Sequence, residues 1–312
     1  MCSSDLSVQC NAQPFVVRGA HGELAIAHNG NVVNADVMRG DLDAMGVHFE
    51  TTTDTEVLGR LLVETAGETW DERFATLMRR ANGAYSLTLL TKDAMFGVRD
   101  PLGIRPLCIG RLNGHGWVFA SETCALDHLG AEFEREIEPG EVVRIDENGI
   151  TSWFPVGQQR RALCLLEYIY FARPDSRMRG ELLYESRMRM GAQLSREHPV
   201  EADIVIGIPD SATAAAIGYA RASGIPYVEA LVKNRYVGRT FIQPDQRLRD
   251  RGVQLKFNPL PEMLAGKRVV VVDDSIVRGT TTPRVVSMLR KAGAREVHMR
   301  ITSPPIQHPC FY

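Results

Sequence analysis

Two uninterrupted runs of apolar residues dominate the hydrophobic pattern in the second half of the chain. They occupy residues 204–208 (Ile-Val-Ile-Gly-Ile) and residues 269–272, which are four valines. Such runs are typical of strands that are buried on both faces, as in parallel sheets. Each run is followed by a polar loop and then a helical pattern, at residues 213–222 and from Pro283 onwards. The repeated order of strand, loop and helix predicts a parallel α/β sheet.

The first half of the chain has a different pattern, in which short strand-like runs alternate with turn residues. The runs lie at residues 24–27, 85–90, 94–98, 117–120 and 142–145. Two amphipathic helices are predicted between them, at residues 55–65 and 70–81. This pattern predicts an α+β domain in which sheet dominates. We place the first domain at residues 1–155 and the second at residues 156–312.

Length, charge and hydropathy narrow the class of protein. The chain has 312 residues and a formal net charge of −2, so it is long enough for two domains. Its near-balanced charge is not typical of nucleic-acid-binding or membrane-surface proteins. It shows neither an apolar run of membrane-spanning length nor the pattern of a signal peptide. We therefore expect a cytoplasmic protein with no nucleic-acid and no membrane partner.

The cysteines and the two ends of the chain add to this picture. The cysteines form no Cys-x-x-Cys pair, which favours reduced thiols over a disulfide framework. They are Cys2, Cys10, Cys108, Cys124, Cys164 and Cys310.

Residues 1–6 fit no helix or strand, and residues 304–312 stop in an apolar sequence rather than a polar tail. We expect a fragment that lacks both ends of a longer protein.

The run of four valines ends in a motif that carries candidate chemistry. Asp273 and Asp274 follow the valines, and Ser275, Arg278, Gly279 and three threonines come next. Ligands bind outside the carboxyl ends of strands in open α/β sheets, and a helix N-terminus attracts anions. The paired carboxylates suit sugar hydroxyls or a hydrated Mg²⁺. No G-x-x-x-x-G-K-[ST] occurs, which excludes a P-loop.

Two other interpretations of this motif remain open: a buried strand with a solvated acidic end, and a phosphoacceptor receiver domain. A receiver domain would not need the Arg-Gly-Thr-Thr-Thr loop. The motif resembles the phosphoribosylpyrophosphate (PRPP) motif of the type I phosphoribosyltransferases. This resemblance implies PRPP-binding residues at Asp210, Ser211, Lys233, Arg235, Lys256, Asp273, Asp274, Ser275, Arg278, Gly279, Thr280 and Thr281.

The same resemblance assigns roles to the loops of the second half. Residues 209–212 correspond to the pyrophosphate loop, and Ser211 joins Asp273 and Asp274 around Mg²⁺. Residues 233–244 combine basic, aromatic and glycine residues, which suits a lid that closes over PRPP, although a solvated charge run is the usual origin of such a stretch. Lys233, Arg235 and Lys256 are the expected phosphate partners.

Polar clusters in the first half carry a second candidate chemistry. Asn29-Gly30 alone is typical of a type I′ hairpin turn, and Asp54 alone is typical of a helix N-cap. Together with the motif at residues 99–107 (Arg-Asp-Pro-Leu-Gly-Ile-Arg-Pro-Leu), they resemble an Ntn-type (class II) glutamine amidotransferase domain. The resemblance implies that the Asn29 side chain and the Gly30 N–H form an oxyanion hole. It also implies that Asp54 binds the α-ammonium group of glutamine.

The nucleophile of that family is missing from its expected place. In the family it is an N-terminal cysteine followed by glycine, and its own α-amine serves as the base. Here Cys2 is followed by serines. Residues 11–14 (Asn-Ala-Gln-Pro), which also resemble the family, come soon after, without the intervening segment that carries a glutamine-binding arginine in the family. We therefore expect that this chain lacks the nucleophilic cysteine and that Cys2 does not replace it.

Residues 164–176 connect the two halves and are predicted to form a buried strand followed by a turn. They resemble the linker of the amidophosphoribosyltransferases. In the iron–sulfur branch of that family, cysteines in the contexts of Cys164 and Cys310 ligate a [4Fe–4S] cluster; the alternative is a pair of buried structural thiols. Four thiolates are the usual requirement, so we expect a cluster only in a longer protein.

The combined resemblance covers nearly the whole chain and points to the amidophosphoribosyltransferase family. It implies synthesis of 5-phosphoribosylamine from PRPP and glutamine-derived ammonia, the first committed step of purine biosynthesis. It further implies a homotetramer and inhibition by purine nucleotides. The alternatives are a phosphoribosyltransferase that uses free ammonia only and a non-catalytic, PRPP-binding regulator.

Overall fold

The structure is a computed structural model that describes residues 9–65, 67–114, 116–234, 256–277, 279 and 281–312. The chain divides into two compact units. The first comprises Met1–Cys164 and His308–Tyr312, and the second comprises Leu165–Gln307. The boundary therefore lies later than the one predicted from sequence, after residue 155, and the last five residues belong to the first unit rather than to the predicted second domain.

The first unit contains two antiparallel sheets in its described part. One has six strands in the order β1–β2–β3–β4–β8–β9, and the other has three in the order β6–β5–β7. The strands are β1 Phe15–Gly19, β2 Gly22–Val32, β3 Gly83–Leu90, β4 Met95–Arg99, β5 Cys108–Leu112, β6 Gly116–Ala120, β7 Ala131–Glu136, β8 Val142–Asp146 and β9 Gly149–Trp153.

Helices α1 (Ala35–Ala44), α2 (Asp54–Glu64), α3 (Trp70–Arg80) and α4 (Thr123–Leu129) complete this unit. Its largest core includes Leu58 and Leu61 of α2, Ile26 of β2 and Phe74 of α3, all of them fully buried. Burial of one such side chain contributes about 1.5–3 kcal/mol, so packing rather than helix propensity holds α2 on the sheet. The predicted sheet-dominated α+β domain is confirmed.

Asn29 and Gly30 do not form a hairpin turn, which corrects one of the two interpretations of that dipeptide. They lie inside β2, which continues to Val32, and they pair with Ser86 and Tyr85 of β3. The N-cap interpretation of Asp54 is also wrong. Thr53 caps α2 by accepting a hydrogen bond from the Glu56 N–H (3.2 Å), and Asp54 is the first helical residue.

The second unit is built on a parallel three-stranded sheet in the order β12–β15–β16, as the sequence predicted. Its strands are β10 Arg177–Met178, β11 Glu181–Leu182, β12 Ile204–Gly207, β13 Leu231–Lys233, β14 Phe257–Pro259, β15 Arg268–Asp273 and β16 Glu296–Ile301. Its helices are α5 Leu183–Glu197, α6 Thr213–Ser223, α7 Pro261–Leu264 and α8 Thr281–Lys291.

The valine run of β15 is buried on both faces, which explains its continuous hydrophobicity. Val269 and Val271 pack in a core that includes Leu289 of α8. Val270 and Val272 pack in a second core that includes Tyr219 of α6. Since alternate side chains of a strand point to opposite faces, helices cover both faces of this strand.

Two local predictions in the second unit are wrong. The linker is not a strand: Glu167–Phe171 forms a π-helical turn, and the Arg187 guanidinium donates hydrogen bonds to the carbonyls of Tyr168 (2.8 Å) and Ala172 (2.6 Å). Helix α8 begins at Thr281 rather than at Pro283. Proline is tolerated in a first helical turn because the N–H groups there need no intrahelical partner.

Candidate active site

The carboxyl ends of β12 and β15 lie side by side, so the loops that follow them begin at one edge of the sheet. Gly207 pairs with Val272, and the Ile208 N–H donates to the Val272 carbonyl (2.9 Å). Asp210 and Ser211 follow β12, and Asp273 is the last residue of β15. We call this region the acidic edge. It is where ligands bind in open α/β sheets.

Each of the paired carboxylates at the acidic edge accepts a hydrogen bond from the residue that follows it. Asp273 Oδ1 accepts a hydrogen bond from the Asp274 N–H (2.9 Å), and the Ser275 hydroxyl donates to the Asp274 carboxylate. Burial, together with the negative charge of Asp274, raises the pKa of Asp273 to about 7. The fold therefore disfavours a bare negative charge on Asp273. A carboxylate whose charge is disfavoured in this way is typical of a site that binds a cationic or hydroxyl-bearing ligand.

A two-stranded ribbon brings two lysines to these carboxylates. Lys233 of β13 pairs with Phe257 of β14, and the Asn234 N–H donates to the Lys256 carbonyl (2.8 Å). Lys233 forms an ion pair with Asp210. Burial and then the nearby Lys233 lower the pKa of Lys256, while the three carboxylates of the acidic edge oppose this change. Cations and carboxylates thus form one polar cluster.

The remaining predicted PRPP residues fall into two groups. Ser211 lies in the turn after β12, Gly279 has a positive φ of 65°, which favours glycine, and Thr281 is the first residue of α8. Arg235, Arg278 and Thr280 lie outside the described residues, as do residues 235–244 of the predicted lid. The pyrophosphate and magnesium roles assigned from the sequence stay predictions.

The acidic edge offers the type of donor atoms that a magnesium ion prefers. The described residues contain no group of three or more His, Cys, Asp or Glu side chains that could hold a metal ion. Magnesium is usually bound through one or two carboxylates, waters and substrate phosphates rather than by an all-protein cage, and Asp273 with Asp274 supplies that donor set. Cys164 is half-buried and Cys310 exposed, and together they supply only two of the four thiolates of a [4Fe–4S] cluster.

In the first unit, the Asn29 side chain is held from two directions. Its Oδ1 accepts a hydrogen bond from Arg105 Nη2 (2.7 Å), and its Nδ2 donates to Ser121 Oγ (2.9 Å). Gly30 follows with a φ of 153°. A Cβ at residue 30 would lie 2.0 Å from the Ala84 carbonyl oxygen, so only glycine fits there.

Asp54 lies next to this strand and remains ionised. Its Oδ2 accepts a hydrogen bond from the Val32 N–H (3.0 Å), and its Oδ1 lies 3.5 Å from His28 Nδ1. Burial alone would raise the pKa of Asp54, but contact with His28 and with the N–H groups of Val32 and Thr55 lowers it below the usual value. A buried, charged carboxylate at this position can bind an ammonium group.

Replacement of Asp54 by asparagine is expected to reduce the free energy of unfolding at pH 7, and the deficit should shrink as the pH falls below about 4. The folded-state pKa of Asp54 is lowered, so its ionised form stabilises the fold above the unfolded-state pKa and loses this effect as the pH falls through the folded-state pKa. Urea unfolding between pH 3 and pH 7 measures the difference. Asp93→Asn, at an exposed loop position, is the control; an equal deficit for Asp54→Asn at every pH would contradict the assignment.

Arg105 lies in the motif at residues 99–107, but the sequence alone assigned no role to Arg105 or Ser121 and did not indicate His28 as a partner of Asp54. The signal for Arg105 was the dense motif at residues 99–107, which combines charged residues with Pro and Gly. No sequence spacing connects residues 29, 105 and 121, because three separate elements bring them together.

Within the described part of the chain, none of the helices is long and apolar enough to cross a membrane.

Comparison with known families divides the sequence in two. Residues 3–128 match the glutamine amidotransferase domain, and residues 180–302 match the phosphoribosyl transferase domain.

Similar proteins cover almost all of this chain. A protein from Synechococcus elongatus named amidophosphoribosyltransferase is 51% identical over 307 residues, covering 97% of this chain and 62% of that relative. A protein of the same name from Methanocaldococcus jannaschii is 48% identical, covering 97% of this chain and 68% of the relative. The solved structure of glutamine PRPP amidotransferase from B. subtilis, complexed with ADP and GMP, matches with a TM-score of 0.88 at 50% identity; the match covers 96% of this chain and 66% of that one. The chain thus spans about three fifths to two thirds of the length of these relatives.

Proposed function

The chain belongs to the amidophosphoribosyltransferase family, and we propose that the protein transfers ammonia to PRPP, forming 5-phosphoribosylamine and releasing pyrophosphate. One observation carries this proposal: Asp210, Asp273, Asp274, Lys233 and Lys256 converge at the acidic edge, where two parallel strands end. Fixed positive charges beside a carboxylate pair suit a sugar that bears phosphates.

Each type of side chain at the acidic edge has its own proposed role in binding PRPP. Asp273 and Asp274 hold the ribose hydroxyls and the magnesium ion, which supplies charge neutralisation for the pyrophosphate when bound. Lys233 and Lys256 hold phosphate oxygens through charge-assisted hydrogen bonds. The N-terminus of α8, which begins at Thr281, favours an anion. The leaving group then departs from the anomeric carbon as ammonia attacks.

Ammonia is proposed to come from glutamine. Asn29 and Gly30 would stabilise the oxyanion of amide hydrolysis, and Asp54 would bind the α-ammonium group of the substrate. The nucleophilic cysteine of this reaction is not assigned to any residue of the chain. The catalytic contribution of the first unit therefore rests on binding glutamine and stabilising charge.

Release of pyrophosphate from PRPP tests the proposal, with glutamine, ammonium chloride or neither as the nitrogen source. Turnover with glutamine by the protein purified from its native cell supports the full reaction. Turnover with ammonium alone supports the second candidate, a transferase fed by free ammonia. PRPP binding without turnover under either condition would contradict the enzymatic proposal and favour a regulator.

Further features of the family remain proposals for this protein. They are a homotetrameric assembly, a cytoplasmic location, inhibition by purine nucleotides and a [4Fe–4S] cluster that includes Cys164 and Cys310. The presence of ADP and GMP in the B. subtilis relative supports the nucleotide proposal. The sequences around Cys164 and Cys310 resemble those around two cluster ligands of the iron–sulfur branch. This resemblance supports a cluster only in a protein that supplies two further thiolates.

Replacement of Lys256 by methionine is expected to weaken PRPP binding about tenfold, because a charge-assisted hydrogen bond contributes roughly 1.5–3 kcal/mol, part of which a neighbouring lysine retains. Lys256 is half-buried beside Lys233 and the acidic edge, so its loss removes a partly desolvated cation. Titration calorimetry with magnesium and PRPP measures the change.

Lys92→Met is the matched control, because Lys92 is exposed in the first unit and forms an ion pair with the neighbouring Asp93. Equal PRPP affinity for Lys256→Met and Lys92→Met would show that Lys256 does not bind substrate.

A further inference from the structure

The orientation of the Asn29 amide is set by the chemistry of its neighbours. A carboxamide can rotate so that its oxygen and nitrogen exchange places, and only its partners decide between the two states. A guanidinium has hydrogen-bond donors and no acceptor, so the atom that faces Arg105 at 2.7 Å must be Oδ1. The Nδ2 group is therefore directed away from Arg105, and Ser121 Oγ accepts one of its two hydrogens.

Arg105 lies in a loop whose backbone N–H groups donate hydrogen bonds to the buried Asp100 carboxylate. The Asp100 carboxylate accepts hydrogen bonds from the N–H groups of Leu102 (3.0 Å), Ile104 (3.1 Å) and Arg105 (3.1 Å). The Asp100 N–H donates to the carbonyl of Tyr85, the residue of β3 that pairs with Gly30. The loop is thus fastened to the strand next to Asn29.

Arg99 fixes the same loop from the other side. Its guanidinium donates hydrogen bonds to the carbonyls of Arg105 (2.8 Å), Gly103 (3.0 Å) and Ile137 (2.6 Å). Arg99 and Asp100 are both buried. Buried polar groups that are satisfied in this way hold one conformation, so the backbone of Arg105 is fixed before any substrate binds.

We propose that Arg105 is a positioning residue for glutamine hydrolysis, which holds the Asn29 amide with Nδ2 directed at the oxyanion and Oδ1 directed away from it. This inference rests on the proposed glutaminase function of the first unit. Ser121 uses one Nδ2 hydrogen and leaves the second for the substrate oxygen. The opposite rotation would present a carbonyl oxygen to the developing negative charge and remove the stabilisation.

The expected loss of kcat follows from how much one hydrogen-bond donor contributes to stabilising the oxyanion. Loss of one such donor costs about 10²–10³ in kcat. An amide that is free to rotate still populates the correct orientation part of the time, so Arg105→Met should lower kcat for glutamine hydrolysis about 10- to 100-fold. The KM for glutamine should stay close to that of the wild type, because Arg105 does not hold the ground-state substrate.

The orientation can be measured directly on the 312-residue chain, without turnover. The Asn29 side-chain amide signal is identified by its loss in Asn29→Asp, and its nuclear Overhauser contact with the Ser121 β protons reports the rotation. We expect this contact in the wild type, its loss in Arg105→Met and its partial recovery in Arg105→Lys, which keeps a charged donor group but not the planar guanidinium. Arg18→Met, which removes an exposed guanidinium paired with Glu23, should leave the contact unchanged.

Persistence of the Asn29–Ser121 contact in Arg105→Met would overturn the proposal, and so would a loss of activity that appears in KM rather than in kcat. If Arg105→Met does not fold, Arg105→Lys decides, since a fully retained contact and unchanged kcat in that variant would refute a need for the Arg105 guanidinium. Absence of glutamine hydrolysis in the wild-type protein from its native cell would refute the proposed glutaminase. The amide signal would still establish or reject the positioning of Asn29.

Discussion

Replacement of Asp273 by asparagine is expected to reduce pyrophosphate release from PRPP by at least about 100-fold, while the protein remains folded. Charge neutralisation by a metal and its carboxylate partners contributes several kcal/mol to such a transition state. Asparagine keeps the shape of the side chain but removes its charge. The substitution therefore tests the charge of the acidic edge rather than its packing.

The fold should tolerate this change because the structure already disfavours the charged form. Burial and the neighbouring Asp274 raise the pKa of Asp273 to about 7. A carboxyl whose folded-state pKa is raised reduces stability above its unfolded-state pKa, so removal of its charge should leave the free energy of unfolding at pH 8 unchanged or increase it. Thermal unfolding alongside the pyrophosphate assay separates loss of function from loss of fold.

Asp203→Asn provides the control at the opposite edge of the same sheet. Asp203 accepts a hydrogen bond from the Arg268 N–H (2.7 Å) and forms an ion pair with the Arg268 guanidinium (2.9 Å), far along β15 from Asp273. This variant should retain turnover and lose some stability. Normal turnover by Asp273→Asn would remove the acidic edge from the mechanism.

Replacement of Gly30 by alanine is expected to lower the free energy of unfolding by about 3 kcal/mol or more. The added Cβ would lie 2.0 Å from the Ala84 carbonyl oxygen and 2.8 Å from the Tyr85 Cα, both of which belong to the backbone of β3. The φ of 153° adds backbone strain for any residue with a Cβ. Strain and overpacking each cost about 1–3 kcal/mol, and neither can relax by rotation of a side chain.

Gly40→Ala is the matched control, and it should raise rather than lower the free energy of unfolding. Gly40 lies inside α1, and a Cβ there would meet no atom within 4 Å. Alanine is favoured over glycine in a helix interior by about 0.5–1 kcal/mol, so this variant should be slightly more stable than the wild type. Urea unfolding measures both variants. Equal stability of Gly30→Ala and the wild type would contradict the close approach of β2 and β3.

The parts of the fold that sequence predicted well are those where burial alone fixes the structure. The four valines of β15 could be recognised because a strand covered on both faces has no polar positions to interrupt its pattern. The following acids and the glycine-threonine loop were then assigned to the carboxyl end of that strand. Asp273 and Asp274 do lie there.

Long-range pairing explains what the sequence did not reveal. Asn29-Gly30 is a frequent turn signal, yet β3 pairs with β2 through both residues and so overrides the local preference. Lys233 and Lys256 were expected as phosphate partners from the resemblance alone. Their proximity could not be derived from local pattern, because they are far apart in sequence and the β13–β14 ribbon brings them together. Likewise, the contact of Arg105 with Asn29 depends on a loop conformation that the buried Asp100 imposes.

Binding of PRPP to the 312-residue chain, measured by titration calorimetry with and without magnesium, tests the central claim most directly. The proposed function predicts one PRPP per chain, an absolute dependence on magnesium, and loss of binding in Asp273→Asn but not in Asp203→Asn. Binding that is absent in the wild type, or that is equal in Asp273→Asn and the wild type, would contradict the assignment of the acidic edge as the substrate site.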